Sequence, residues 1–311
     1  MLGFVFPGQG SQSVGMLHEI AAVYPEMDTI YKRASDVLGY DLWRLTQEGP
    51  ADKLDMTVFT QPALLTASYA IWDVIQKRTT LQPTVLAGHS LGEYTALVAA
   101  KAISFEDGVR LVAARGEYMQ EAVPADQGAL AAIVGLSHEA VADLCQEQAL
   151  DQVLAPANYN SPGQVVIAGN TEAITRAIQF AKTKGAKLAK QLAISVPSHC
   201  ALMTPAAEKL ALLLDKIELN QPVIPVMNNV DVIVYNSAST IRDGLKRQLV
   251  MPVRWVDIIQ TFVTQGVTQV VECGPGKILT GLNKRITADI QFFNTASAAD
   301  LQQILAMSFE S

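Results

Sequence analysis

Gly88-His89-Ser90-Leu91-Gly92 fits the pattern G-x-S-x-G. In that pattern a serine rides a sharp strand-to-helix turn and projects its hydroxyl as a nucleophile. Glycines flank such a turn because, without a Cβ, they let backbone segments approach closely. The Leu91 amide would then stand at a helix N-terminus, facing the oxyanion that forms when the serine attacks a carbonyl. Five residues alone also fit a glycine-rich turn with an incidental serine, so the surrounding elements have to decide.

A serine hydroxyl needs a base to take its proton. The chain has four histidines, His18, His89, His138 and His199. His18 and His138 fall in polar helical stretches and read as surface residues. His89 lies inside the turn and should point away from the serine. His199, in Ser195-Val196-Pro197-Ser198-His199-Cys200, is on a loop that could return to the turn, or it could be a surface histidine. An α/β-hydrolase triad runs serine, acid, histidine. No acid between Ser90 and His199 stands out: Asp143, Asp151 and Glu172 lie further along, and Glu93, Glu106, Asp107 and Glu117 read as solvated helix faces. The chain departs from the hydrolase order.

The elements that must position these groups follow an α/β pattern, with short apolar runs alternating with longer amphipathic stretches. Leu2–Phe6 and Val85–Ala87 read as buried strands, and Leu91–Ala102 and Ser104–Met119 as helices, the second capped by Ser104. Gln269–Glu272 is a further strand before the turn Gly274-Pro275-Gly276. Between them the order changes. Ala129–Val134, Val153–Ala157, Gln164–Ala168 and Ala186–Ile194 read as strands, with the turn-rich residues 158–163 between the middle two. Ser137–Glu147 and Thr171–Lys184 read as helices. The order β-α-β-β-α-β is the ferredoxin-like motif. The expected fold is therefore α/β: a large α/β-hydrolase-like body, residues 1–124 and 196–311, with a small ferredoxin-like subdomain inserted at 125–195.

Composition excludes several classes. The net charge is −7, from 23 basic and 30 acidic residues, and without clustered Lys and Arg no nucleic-acid partner is expected. Cys145, Cys200 and Cys273 are odd in number and far apart, which argues against a disulfide framework or a zinc site. Cys200 beside a histidine reads as a small core residue. Met1–Phe6 has no basic flank and stops at Pro7-Gly8, so no signal peptide is read, and no run of about 18 apolar residues would span a membrane. The expected location is cytoplasmic. Gly8-Gln9-Gly10 has Ser13 where a dinucleotide fingerprint needs its third glycine, and by itself reads as a tight turn. Arg115, in Val112-Ala113-Ala114-Arg115-Gly116, by itself reads as a snorkelling or ion-paired surface arginine.

Together, Phe6-Pro7-Gly8-Gln9-Gly10-Ser11-Gln12, Gly88–Gly92, Arg115, Ser198-His199, Gln248-Leu249, Pro252-Val253-Arg254-Trp255 and Gly274-Pro275-Gly276-Lys277 resemble the malonyl-CoA:acyl carrier protein transacylases of bacterial fatty-acid synthesis. The resemblance covers essentially the whole chain, insertion included. The same fold serves as the acyltransferase domain of polyketide synthases, and a serine thioesterase or hydrolase is a further alternative that gives Arg115 no role.

The resemblance implies Ser90 as nucleophile and His199 as base. It implies that the backbone carbonyl of Gln248, rather than an acid, orients the histidine. Gln9 would join Leu91 in the oxyanion hole, and Arg115 would grip the free carboxylate of malonate, for which a guanidinium offers paired donors. A small Ser198 is compatible with malonyl and leaves slightly larger extender units open. The implied reaction is ping-pong from malonyl-CoA to acyl carrier protein, by a monomer with no metal or other cofactor. Lys182, Lys184, Lys187, Lys190, Lys284 and Arg285 are candidates for docking an acidic carrier.

Overall fold

Leu2–Phe6 (β1) has all five residues buried, as an apolar strand covered on both faces must be. It is the centre of the larger sheet in a computed structural model of the chain, which describes residues 1–124, 126–194 and 196–307. Val85–Gly88 (β2) pairs parallel to one side of β1. The smaller sheet is made by Gly128–Val134 (β3), Leu154–Ser161 (β4), Gln164–Asn170 (β5) and Leu188–Gln191 (β6). The chain then returns to the larger sheet with Val226–Met227 (β7), Gln269–Glu272 (β8) and Gln291–Asn294 (β9). The larger sheet has the order β7-β2-β1-β8-β9 with every pairing parallel. The smaller has the order β4-β5-β3-β6 with every pairing antiparallel. Helices His138–Ala149 and Thr171–Thr183 pack on it, which completes the ferredoxin-like unit. Ala125 and Ser195, the two ends of the expected insertion, lie outside the described residues.

Local chemistry sets several ends. The Ser104 side chain accepts from the Asp107 amide at the head of helix Phe105–Ala122. Ser137 caps His138–Ala149 in the same way, through the Ala140 amide. Three expectations need correction. The helix after the turn stops at Ala99, because Lys101 turns to positive φ. The last small-sheet strand is shorter than the apolar run, Leu188–Gln191. Of the segment 158–163 only Pro162-Gly163 turns: β4 runs through Ser161, with irregularities at Pro156/Asn158 and Tyr159/Ser161. Asn158, Asn160 and Ser161 are buried there, and the body bonds to the strand's backbone. The Val253 amide donates to Ala157 O at 2.8 Å, and the Tyr159 amide donates to Val253 O at 2.9 Å. This strand therefore fastens the small sheet to the body.

Candidate active site

The Ser90 turn is held by steric necessity. Ser90 sits at φ 53°, ψ −108°, a region that L residues avoid. A Cβ on Gly88 would lie 1.8 Å from the Gly92 carbonyl carbon, and one on Gly92 would lie 2.1 Å from Phe6 O. Only glycine fits at either place. Asn229 locks the turn from the other side: its Oδ1 accepts from the Ser90 amide at 2.8 Å and its Nδ2 donates to Gly88 O at 2.7 Å.

Ser90 Oγ is 2.8 Å from His199 Nε2, and His199 Nδ1 is 2.7 Å from Gln248 O. The carbonyl acceptor requires the proton on Nδ1, which leaves Nε2 free to take one from the serine. Burial, and next the nearby Arg115 charge, push the His199 pKa from the usual 6.5 down to about 3. The imidazole is thus neutral near pH 7 and ready as a base. His199 also holds a positive φ of 64°, with its amide donating to Leu249 O at 3.0 Å.

Arg115 is 1% exposed, contrary to its reading as a surface arginine. Its Nη1 donates to Gln61 Oε1 at 2.9 Å, and its Nη2 donates to Gln248 Oε1 at 3.1 Å and to Ser90 Oγ at 3.3 Å. The guanidinium lies 5.2 Å from the centre of the Tyr94 ring. It makes no ion pair among the described residues.

The side expected to hold an oxyanion is open. No described acceptor takes the backbone N–H of Leu91 or Gln9, and the Gln9 side chain is tethered to Thr57 Oγ1 at 3.4 Å. These groups line a cleft of about 350 Å³ between the two sheets, walled by Gln9, Ser90, Arg115 and His199 from the body and Leu130, Asn160 and Val166 from the small unit. Such junctions are common ligand sites. A shallower groove of about 680 Å³ beside Tyr31, Tyr40 and Trp43 shares no residue with it and holds no serine–histidine pair.

Several participants escaped the sequence reading. Glu93 is fully buried, not on a solvated face. Gln61, Asn229 and Tyr235 gave no signal at all. Gln248 was expected to act by its backbone, yet its side chain also touches Arg115. His89 does turn from Ser90, and its Nε2 meets Asn160 Oδ1 of the small unit at 2.8 Å. His18 is exposed and His138 half-buried, both outside the cleft. All three cysteines are free and buried, and burial pushes the Cys200 thiol up to about 11, which leaves it a core residue. Among the described residues no His/Cys/Asp/Glu cluster suited to a metal occurs, and no helix is long and apolar enough to cross a membrane.

The sequence model of the acyl transferase domain family matches residues 3–296. The malonyl CoA-acyl carrier protein transacylase of Escherichia coli K12 is 54% identical over 307 residues, covering 99% of this chain and 98% of that protein. Its Bacillus subtilis 168 counterpart is 43% identical over 286 residues, covering 92% and 90%. Among solved structures, the malonyl CoA-acyl carrier protein transacylase of Coxiella burnetii superposes with a TM-score of 0.96 at 49% identity, covering 98% of this chain and 96% of that one. A malonyl-transacylase solved in complex with a type II polyketide synthase acyl-carrier protein superposes with a TM-score of 0.96 at 52% identity, covering 98% of each.

Proposed function

The chain belongs to the malonyl CoA-acyl carrier protein transacylases of the acyl transferase family, and from that we propose that it moves malonyl from coenzyme A to the phosphopantetheine thiol of an acyl carrier protein through an ester on Ser90. The thioester it makes is the extender unit for fatty-acid synthesis.

The observation that carries the reading is Arg115, a buried guanidinium 3.3 Å from the nucleophile with no carboxylate paired to it. A buried charge calls for a counter-charge, and the free carboxylate of a malonyl group supplies one at the right distance from Ser90. Docking of that carboxylate has a second effect. Arg115 is among the causes that depress His199, so neutralising it raises the basicity of the imidazole when the correct substrate is in place.

In the first half-reaction His199 Nε2 takes the Ser90 proton as Oγ attacks the thioester carbonyl. The Leu91 and Gln9 amides receive the oxyanion. The C–S bond breaks, and the departing coenzyme A sulfur takes the proton from His199. In the second half-reaction His199 takes the proton of the carrier thiol, its sulfur attacks the malonyl ester, and Ser90 leaves with the proton. The Gln248 carbonyl stabilises the transient imidazolium, less strongly than an ionised acid would. Each step uses only these groups and the two thiols, so we assign no cofactor, and we take the working enzyme to be a cytoplasmic monomer. We place the domain junctions at residues 125 and 195, so that the cleft shields the ester from water.

Intact-protein mass spectrometry after mixing with malonyl-CoA tests this. A malonyl-sized increment, absent in Ser90→Ala and weak in Arg115→Ala, is expected. Release of free coenzyme A without any increment would mean hydrolysis instead, and no turnover would remove the assignment.

A further inference from the structure

Glu93 has no part in the steps above, yet it is fully buried three residues after the nucleophile. Its Oε2 accepts from Gln248 Nε2 at 2.7 Å and from the Asn229 amide at 3.1 Å, and its Oε1 faces the Tyr235 hydroxyl. The Gln248 side chain is a two-sided connector. Its Nε2 donates to Glu93 and, at 3.0 Å, to Ser90 O, while its Oε1 accepts from Arg115. The same residue's backbone carbonyl holds His199. Rotating the amide by half a turn would set its NH2 against the guanidinium and its carbonyl against a carboxylate and a carbonyl, with every contact repulsive.

We infer that Glu93 is a positioning residue for substrate selection: by accepting from Gln248 Nε2 it fixes the amide rotamer that presents an acceptor to Arg115, and so aims the guanidinium at the acyl group on Ser90. Because Oε2 already accepts two N–H groups, a proton on Glu93 belongs on Oε1, toward Tyr235. The orientation of Gln248 therefore survives protonation of Glu93. The branch through Asn229 touches only the Ser90 turn and bears equally on any acyl group, so the signature of the Gln248 branch is selectivity. The inference rests on the malonyl-serine reading.

The test is the ratio of Ser90 loading rates from malonyl-CoA and acetyl-CoA, measured by intact mass. Glu93→Leu, with no acceptor, should lower that ratio on the order of 10-fold. Glu93→Gln should restore most of it, since its carbonyl can replace Oε2 while its NH2 donates to Tyr235. Adding Tyr235→Phe to Glu93→Gln removes the group that orients the new amide, so the double variant should lose more of the ratio than the product of the two single effects. This pair keeps the test sound should Glu93→Leu fail to fold. Equal loss for both acyl groups in Glu93→Leu, or no excess loss in the double variant, overturns the inference. An unmodified protein that accepts no malonyl would instead overturn the malonyl-serine reading itself.

Discussion

Arg115 Nη2 stands 3.3 Å from Ser90 Oγ, so the group proposed to select the acyl chain and the atom proposed to attack it share one hydrogen bond. Charge-assisted bonds to a substrate carboxylate contribute roughly 1.5–3 kcal/mol each. Two of them give a preference of about 10²–10⁴ for malonyl over acetyl. Arg115→Ala should therefore lower malonyl loading by that order while leaving acetyl loading far less changed. Arg115→Lys keeps the charge without the fork and should fall between. Single-turnover rates with the two thioesters decide it, and a uniform loss for both would sink the carboxylate role.

Two buried groups should shape stability against pH in opposite directions. His199 is pushed from 6.5 to about 3, and burial pushes Glu93 from 4.5 to about 7. As pH falls below 6.5, the unfolded chain gains a proton at His199 that the fold refuses, and stability is lost. As pH rises above 4.5, the unfolded chain sheds a Glu93 proton that the fold keeps, and stability is also lost. Between 4.5 and 6.5 the two slopes cancel. His199→Gln should leave a stability that falls with rising pH in this window, and Glu93→Gln one that rises, each by on the order of 1 kcal/mol per pH unit. Urea unfolding at the two ends of the window reads this, and unchanged slopes in both variants would refute it.

Gly92→Ala should fail severely, since its Cβ would meet Phe6 O at 2.1 Å and the rest of the Phe6–Pro7 backbone just beyond. A loss of roughly 3 kcal/mol or more is expected, with Ser90 displaced. Gly281→Ala is the control: nothing lies within 4 Å of its Cβ, and helix Ile278–Ile286 should gain up to about 1 kcal/mol. Thermal unfolding with loading rates compares them. An active, stable Gly92→Ala protein would contradict the packing account.

Carrier docking should depend on local positive charge, because the chain is net −7. Arg285 Nη1 donates at 2.8 Å to Oε1 of Gln164, which lines the cleft. Reversing Lys284 and Arg285 to Glu, or Lys187 and Lys190 to Glu, should raise the KM for the carrier protein several-fold and leave loading from malonyl-CoA unaffected. An unchanged carrier KM in both pairs would place docking elsewhere.

The amino-acid sequence determined what depends on near neighbours. Apolar runs and glycine spacing marked Leu2–Phe6, Val85–Ala87 and the Ser90 turn, and serines at 104 and 137 marked two helix starts, because strand burial, turns and caps are decided within a few residues. The β-α-β-β-α-β order of the insertion was legible for the same reason. Tertiary structure alone decided who meets whom. Ser90 and His199 are 109 residues apart and Glu93 and Gln248 155 apart, and no local pattern encodes such a meeting. It also decided burial. Arg115 and Glu93 look like surface charges on their helices, and Asn158 to Ser161 look like a loop, until packing against distant segments takes them from water: Arg115 meets Gln61 and Gln248, Glu93 meets Asn229 and Gln248, and Asn160 meets His89. A polar residue enters a core only where those partners converge, and that convergence belongs to the folded chain as a whole.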